Sequence, residues 1–103
     1  MAALTPTKVA LTELSGDLKI YVATVTPSSA SDTITFVAAT HKFRKIYAVM
    51  PFLTAGIDSL LQTCAATFSG LVVTLTTYNP EGTAATDWTA ASVTLVMLVA
   101  SAD

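Results

Sequence analysis

The sequence predicts an all-β protein, an antiparallel β-sandwich or small barrel of about seven strands with at most one short helix. Three observations predict it. Residues 64–77 read as a hairpin in which one register sorts both arms into an apolar and a hydroxyl face. Turn signals recur about every 8 to 14 residues. The chain holds 18 threonines, and β-branched side chains suit a pleated surface.

The hairpin is the clearest of these. With Ser69-Gly70 as a two-residue turn, Phe68 faces Leu71, Ala66 faces Val73 and Cys64 faces Leu75, all on one side. Ala65, Thr67, Val72, Thr74 and Thr76 take the other. Side chains alternate with a period of two along a strand, so a slip of one residue would mix the two sets.

Residues 1–8 read as an N-terminal arm, because Thr5-Pro6-Thr7 disfavours helix and lacks one backbone donor. Residues 9–103 read as a single β domain, as a chain of 103 residues favours. Strands are expected over 9–14 and 18–26, around Ser15-Gly16-Asp17, and over 32–38 after the loop 27–31. The strand that starts at Ile46 should end near Pro51 or lie at a sheet edge there, since proline removes a ladder hydrogen bond. Ile57, Leu60 and Leu61 have the i, i+3, i+4 spacing of a helical turn. Asn79-Pro80-Glu81-Gly82 is a turn, followed by a small-residue loop to Trp88. The strand at 92–101 is apolar on both faces: Val93, Leu95, Met97 and Val99 alternate with Val96, Leu98 and Ala100. Such a strand belongs in the middle of a sheet or beneath a subunit contact.

Composition points to a covered surface. The chain is 52% hydrophobic and 12% charged, about half the usual charged fraction of ~25%. A membrane reading fails on length: the longest strongly apolar run, 93–100, falls short of the ~20 residues a spanning helix needs. No membrane partner is expected. A single cysteine rules out an internal disulfide framework. Cys64, on the apolar hairpin face, is expected to be a buried, inert thiol, in keeping with synthesis in a reducing cytoplasm.

No residue pattern points to catalysis, a cofactor or a metal. His41 and Cys64 have no ligand spacing and no sign of meeting as a nucleophilic pair. Asp17, Asp32, Asp58, Glu81 and Asp87 fall in turns or at strand starts, where solvated turn chemistry explains them. Four scattered glycines make no phosphate loop. The protein is therefore expected to be no enzyme. His41, Lys42, Arg44 and Lys45 form the one basic group, with no Lys or Arg after it. That group reads either as a solvated loop or as a contact to an acidic protein surface. It lacks the interleaved aromatics of a stacking platform, so nucleic acid is not an expected partner. Tyr78 and Trp88 bracket the loop between them and either close the end of the core or anchor an interface.

Residues 75–76 and 82–89, the run Val93-Thr94-Leu95, the opening Leu4-Thr5-Pro6-Thr7-Lys8-Val9 and the stretch Phe43-Arg44-Lys45-Ile46-Tyr47 resemble small structural proteins of tailed bacteriophages. The resemblance implies a virion protein on the capsid exterior, made in the host cytoplasm. Its nearest type is a head decoration (cement) protein bound to the major capsid protein and to copies of itself, often as trimers. A tail, neck or spike component and a carbohydrate-binding β-sandwich are the alternatives. No family site residue carries over, so His41, Lys42, Arg44, Lys45, Tyr78 and Trp88 stand as interface candidates on their own chemistry.

Overall fold

A computed structural model describes residues 2–55, 63–78 and 91–101. Its strands are β1 (Ala2–Ala3), β2 (Thr7–Ser15), β3 (Leu18–Val25), β4 (Ser31–Thr35), β5 (Phe43–Ala55), β6 (Thr63–Ser69), β7 (Val72–Tyr78) and β8 (Ser92–Ser101). A one-turn helix, α1 (Ala38–His41), precedes β5. The strands form two four-stranded sheets: sheet 1 in the order β1-β4-β7-β6 and sheet 2 in the order β2-β3-β8-β5. Every pairing is antiparallel except the two-residue β1, which runs parallel to β4. The sheets pack as a sandwich, and no closed barrel forms among the described residues.

The core lies between the sheets. Sheet 2 contributes Tyr21, Ala23 and Val25 from β3, Val93, Leu95, Met97 and Val99 from β8, and Phe43 and Ile46 from β5. Sheet 1 contributes Ile34, Val73 and Leu75, with Cys64 and Ala66 packed against them. Three linkers carry the chain between sheets within the described residues: 4–6, 26–30, and 36–42, which holds α1. Residues 2–8 are stitched into both layers. Ala2 and Ala3 pair with Asp32 and Thr33 of sheet 1, while Thr7 and Lys8 pair with Thr24 and Ala23 of sheet 2.

The central hairpin keeps its expected faces but not its expected pairs. Ser69 pairs with Val72, Phe68 with Val73, Ala66 with Leu75 and Cys64 with Thr77, so the turn residues are Gly70 and Leu71. The reason is backbone chemistry. Gly70 has φ +59°, and a two-residue hairpin loop with positive φ at its first position wants glycine there. Moving the turn by one residue moves each partner by two, which preserves the parity of every side chain. The β2–β3 hairpin repeats the device, with Ser15 opposite Leu18 and Gly16 at φ +59°. A Cβ at either glycine would meet nothing within 4 Å. Gly70→Ala should therefore cost about 1–2 kcal/mol from left-handed backbone strain alone. Chemical denaturation checks this, and a neutral substitution would show that the turn relaxes.

Pro51 sits inside β5, opposite Leu95, and β5 is the edge of sheet 2, so the missing donor faces away from the ladder. The stretch at 53–61 begins as strand through Ala55, and the rest of its expected helical turn lies outside the described residues. The described helix is instead α1, within the segment expected to pass from strand straight into the basic group. Val37 precedes it in extended conformation, and its N–H donates to Nδ1 of His41 (2.9 Å). Lys42 closes it in the left-handed region at φ 69°.

Asp32 also departs from expectation. Far from being a solvated turn residue, it is fully buried in β4. Its Oδ2 accepts from the N–H groups of Ser28 (3.0 Å) and Ser29 (3.2 Å), and its Oδ1 from the Ser29 hydroxyl. A carboxylate at the start of β4 thereby folds the preceding serine-rich loop onto itself.

Burial pushes the Cys64 thiol above its ordinary 9.0 and the Tyr21 phenol above its ordinary 10.0. Raised values favour the neutral forms in the folded state. Their contribution to stability is thus complete below the ordinary values and is lost as pH rises through the shifted ones. Thermal melts in alkaline buffers should show the melting temperature falling above about pH 9. In Cys64→Ala the onset of that fall should move to higher pH. An unchanged onset would remove Cys64 as its cause.

Candidate functional site: the outer faces of the sandwich

In a two-layer sandwich each sheet has an outer face, which in antiparallel sheets is ordinarily polar. Sheet 1 follows the rule without using charge. Its outer rungs are Ser31–Thr76–Ala65, Thr33–Thr74–Thr67 and Thr35–Val72–Ser69.

Sheet 2 breaks the rule. Its outer rungs, read from β2 across β3 and β8 to β5, are Thr7–Thr24–Thr94–Phe52, Ala10–Val22–Val96–Met50 and Thr12–Ile20–Leu98–Ala48. A further rung carries Leu18, the fully buried Ala100 and Lys45, and Lys45 is the one charged side chain on these four rungs. None of Ile20, Val22, Met50, Phe52, Val96 and Leu98 belongs to the core cluster or packs against it. Met50 and Phe52 are each 51% exposed. The others are half-buried. Among the described residues no third layer lies over this face. Hydrocarbon in contact with water costs about 25 cal/mol per Å², and a continuous apolar patch on a protein surface marks an interaction site.

Most of the exposed charge described lies toward one end. Asp17, Lys42, Arg44 and Lys45 collect at one end of the sandwich, where the β2–β3 turn meets the start of β5. The Ser101 N–H donates to the Asp17 carbonyl (2.6 Å) at that end, joining the turn to β8. Arg44 pairs with Asp17 at 3.6 Å, both well exposed. An ion pair so placed is worth at most about 1 kcal/mol. The Lys45 ammonium lies 5.2 Å from the centre of the Tyr47 ring. His41 faces inward instead, its ring centre 5.0 Å from that of Phe36 and 6.2 Å from that of Phe43. The run from His41 to Lys45 therefore splits. Phe43 is a core residue, His41 is packed on aromatic rings, and Lys42, Arg44 and Lys45 remain as the exposed basic group.

Tyr78 is not part of that group. The β6–β7 turn lies at the basic end, where the Phe36 N–H donates to the Leu71 carbonyl (2.8 Å), and Tyr78 ends β7 at the opposite extreme. It shares the parity of Thr74 and Thr76 on the hydroxyl face. Trp88 and the loop it closes lie outside the described residues.

Among the described residues no three of His, Cys, Asp and Glu come together as a metal group, and no helix is long and apolar enough to cross a membrane. Comparison with protein-family models, with curated protein sequences and with solved structures finds no match. The most informative surface is thus the outer face of sheet 2. Its residues were absent from the candidates chosen on sequence, which favoured charge and aromatic rings. The two-sided apolar pattern of β8 was the signal that could have found them.

Proposed function

We propose that this protein is a non-enzymatic structural component of a bacteriophage virion. It is a head decoration (cement) protein that associates with itself, binds the major capsid protein and stabilises the shell from outside. The observation that carries the reading is the apolar, nearly charge-free outer face of sheet 2, which suits a protein whose working state is an assembly. The scarcity of charge along the chain and the likeness to tailed-phage structural proteins support the same reading. In this arrangement the outer face of sheet 2 is covered by protein, and the basic end with Lys42, Arg44 and Lys45 is free to meet an acidic patch on the shell.

The experiment is to label the protein on intact particles and to compare shells with and without it. Label spread over the head, with shells that open at lower temperature when it is missing, is the expected result. Label confined to one vertex or to the tail would make it a neck, tail or spike component instead. Absence from particles would end the virion reading.

A further inference from the structure

We propose that the outer face of sheet 2 is where two copies of this chain pack, sheet against sheet, into a closed two-fold dimer. The inference rests on the assembly reading above and names the occupant of its apolar face.

The first argument is chemical. A surface centred on Ile20, Val22, Met50, Val96 and Leu98, with Thr7, Thr12, Thr24 and Thr94 beside them and Lys45 alone at its corner, offers a partner a few hydroxyls and almost no charge. Whatever covers it must be equally flat, apolar and uncharged, or its own polar groups are desolvated without compensation. A second copy presents such a surface. The second argument is size. β8 has ten residues and sheet 2 has four strands. At ~3.3 Å per residue and ~4.8 Å between strands the face measures roughly 33 by 19 Å, or about 600 Å² in plan. Two copies then bury about 1,200 Å², the lower bound for specific interfaces. The third is geometry, since pleated faces lined with Val, Ile and Leu interdigitate at ~10 Å with strands within about 30° of parallel.

The fourth argument explains why assembly through this face stops at two. A face meeting its own copy uses the same patch on both sides, which closes the contact. The opposite outer face, on sheet 1, is lined by Thr33, Thr67, Thr74 and Thr76 and offers no second apolar surface for a third layer. A three-fold ring would need two different complementary patches, whereas this face is complementary to itself.

The test is sedimentation velocity of the purified chain over a wide concentration range. Wild type should be a dimer. Val96→Lys, and separately Leu98→Lys, each place an ammonium at the centre of the face and should weaken the dimer at least a hundredfold (order of magnitude, from the cost of burying a charge). Thr74→Lys, on the hydroxyl face, should leave it intact. Circular dichroism melts report whether each variant is folded, and the wild-type series stands even if a variant is not. A wild-type monomer at every concentration, a trimer, or a dimer indifferent to both lysines would overturn the proposal. A monomer that still coats shells, and loses that with Val96→Lys, would sink the dimer yet keep the virion role. A dimer missing from particles would do the reverse.

Discussion

Replacing Phe43 by alanine should lower the unfolding free energy by about 3–5 kcal/mol. Its ring is fully buried, with its centre 5.1 Å from that of Tyr21 and 5.2 Å from that of Phe36. Those three rings and the His41 imidazole pack together at the end of the sandwich that carries α1. The alanine variant leaves a void lined by stiff rings on two sides, and stiff linings relax least. Total stability for a domain of this size is about 5–15 kcal/mol, so the loss is a large share of it. Urea unfolding measures it. Phe52→Ala is the internal contrast: that ring is half exposed on the outer face and should cost the monomer less than about 1 kcal/mol. Equal costs at the two positions would mean that the aromatic cluster does not close the core.

Asp32→Ala should cost about 3 kcal/mol, by leaving the donors of Ser28 and Ser29 without their acceptor. Asp32→Asn should recover most of it. An amide oxygen can still accept from the two backbone N–H groups. The amide nitrogen, placed where Oδ1 stands, can donate to the Ser29 oxygen, which leaves that hydroxyl's proton for the Ser31 carbonyl (2.8 Å). Alanine and asparagine variants of equal stability would show that the loop does not depend on this carboxylate. The same melts used for Phe43 decide it.

Much of this architecture is legible in the residue pattern, and the exceptions have physical causes. Parity along β3, β7 and β8 reads directly, because alternation depends only on which residues are apolar. Hairpin pairing did not read to the rung, because serine and glycine are both turn residues and only positive φ assigns glycine to the first loop position. α1 escaped because four residues cannot show helical periodicity. Asp32 looked like any turn acid, since what buries it is the meeting of a loop with a strand rather than a local motif. The outer face of sheet 2 was half legible. β8 announced it, but Met50 and Phe52 join the patch only once β5 is known to lie beside β8.

The position of β8 has a bearing on how the chain matures. It lies between β3 and β5, yet both of those are synthesised well before it. Until Ser92 to Ser101 leave the ribosome, the hairpin of β2 and β3 and the long strand β5 wait with a vacant slot between them and unsatisfied backbone along it. Such open slots invite the wrong strand from a neighbouring nascent chain. Cells making this protein at high level should thus depend on holding chaperones during translation, and a chain stopped short of residue 92 should aggregate rather than fold.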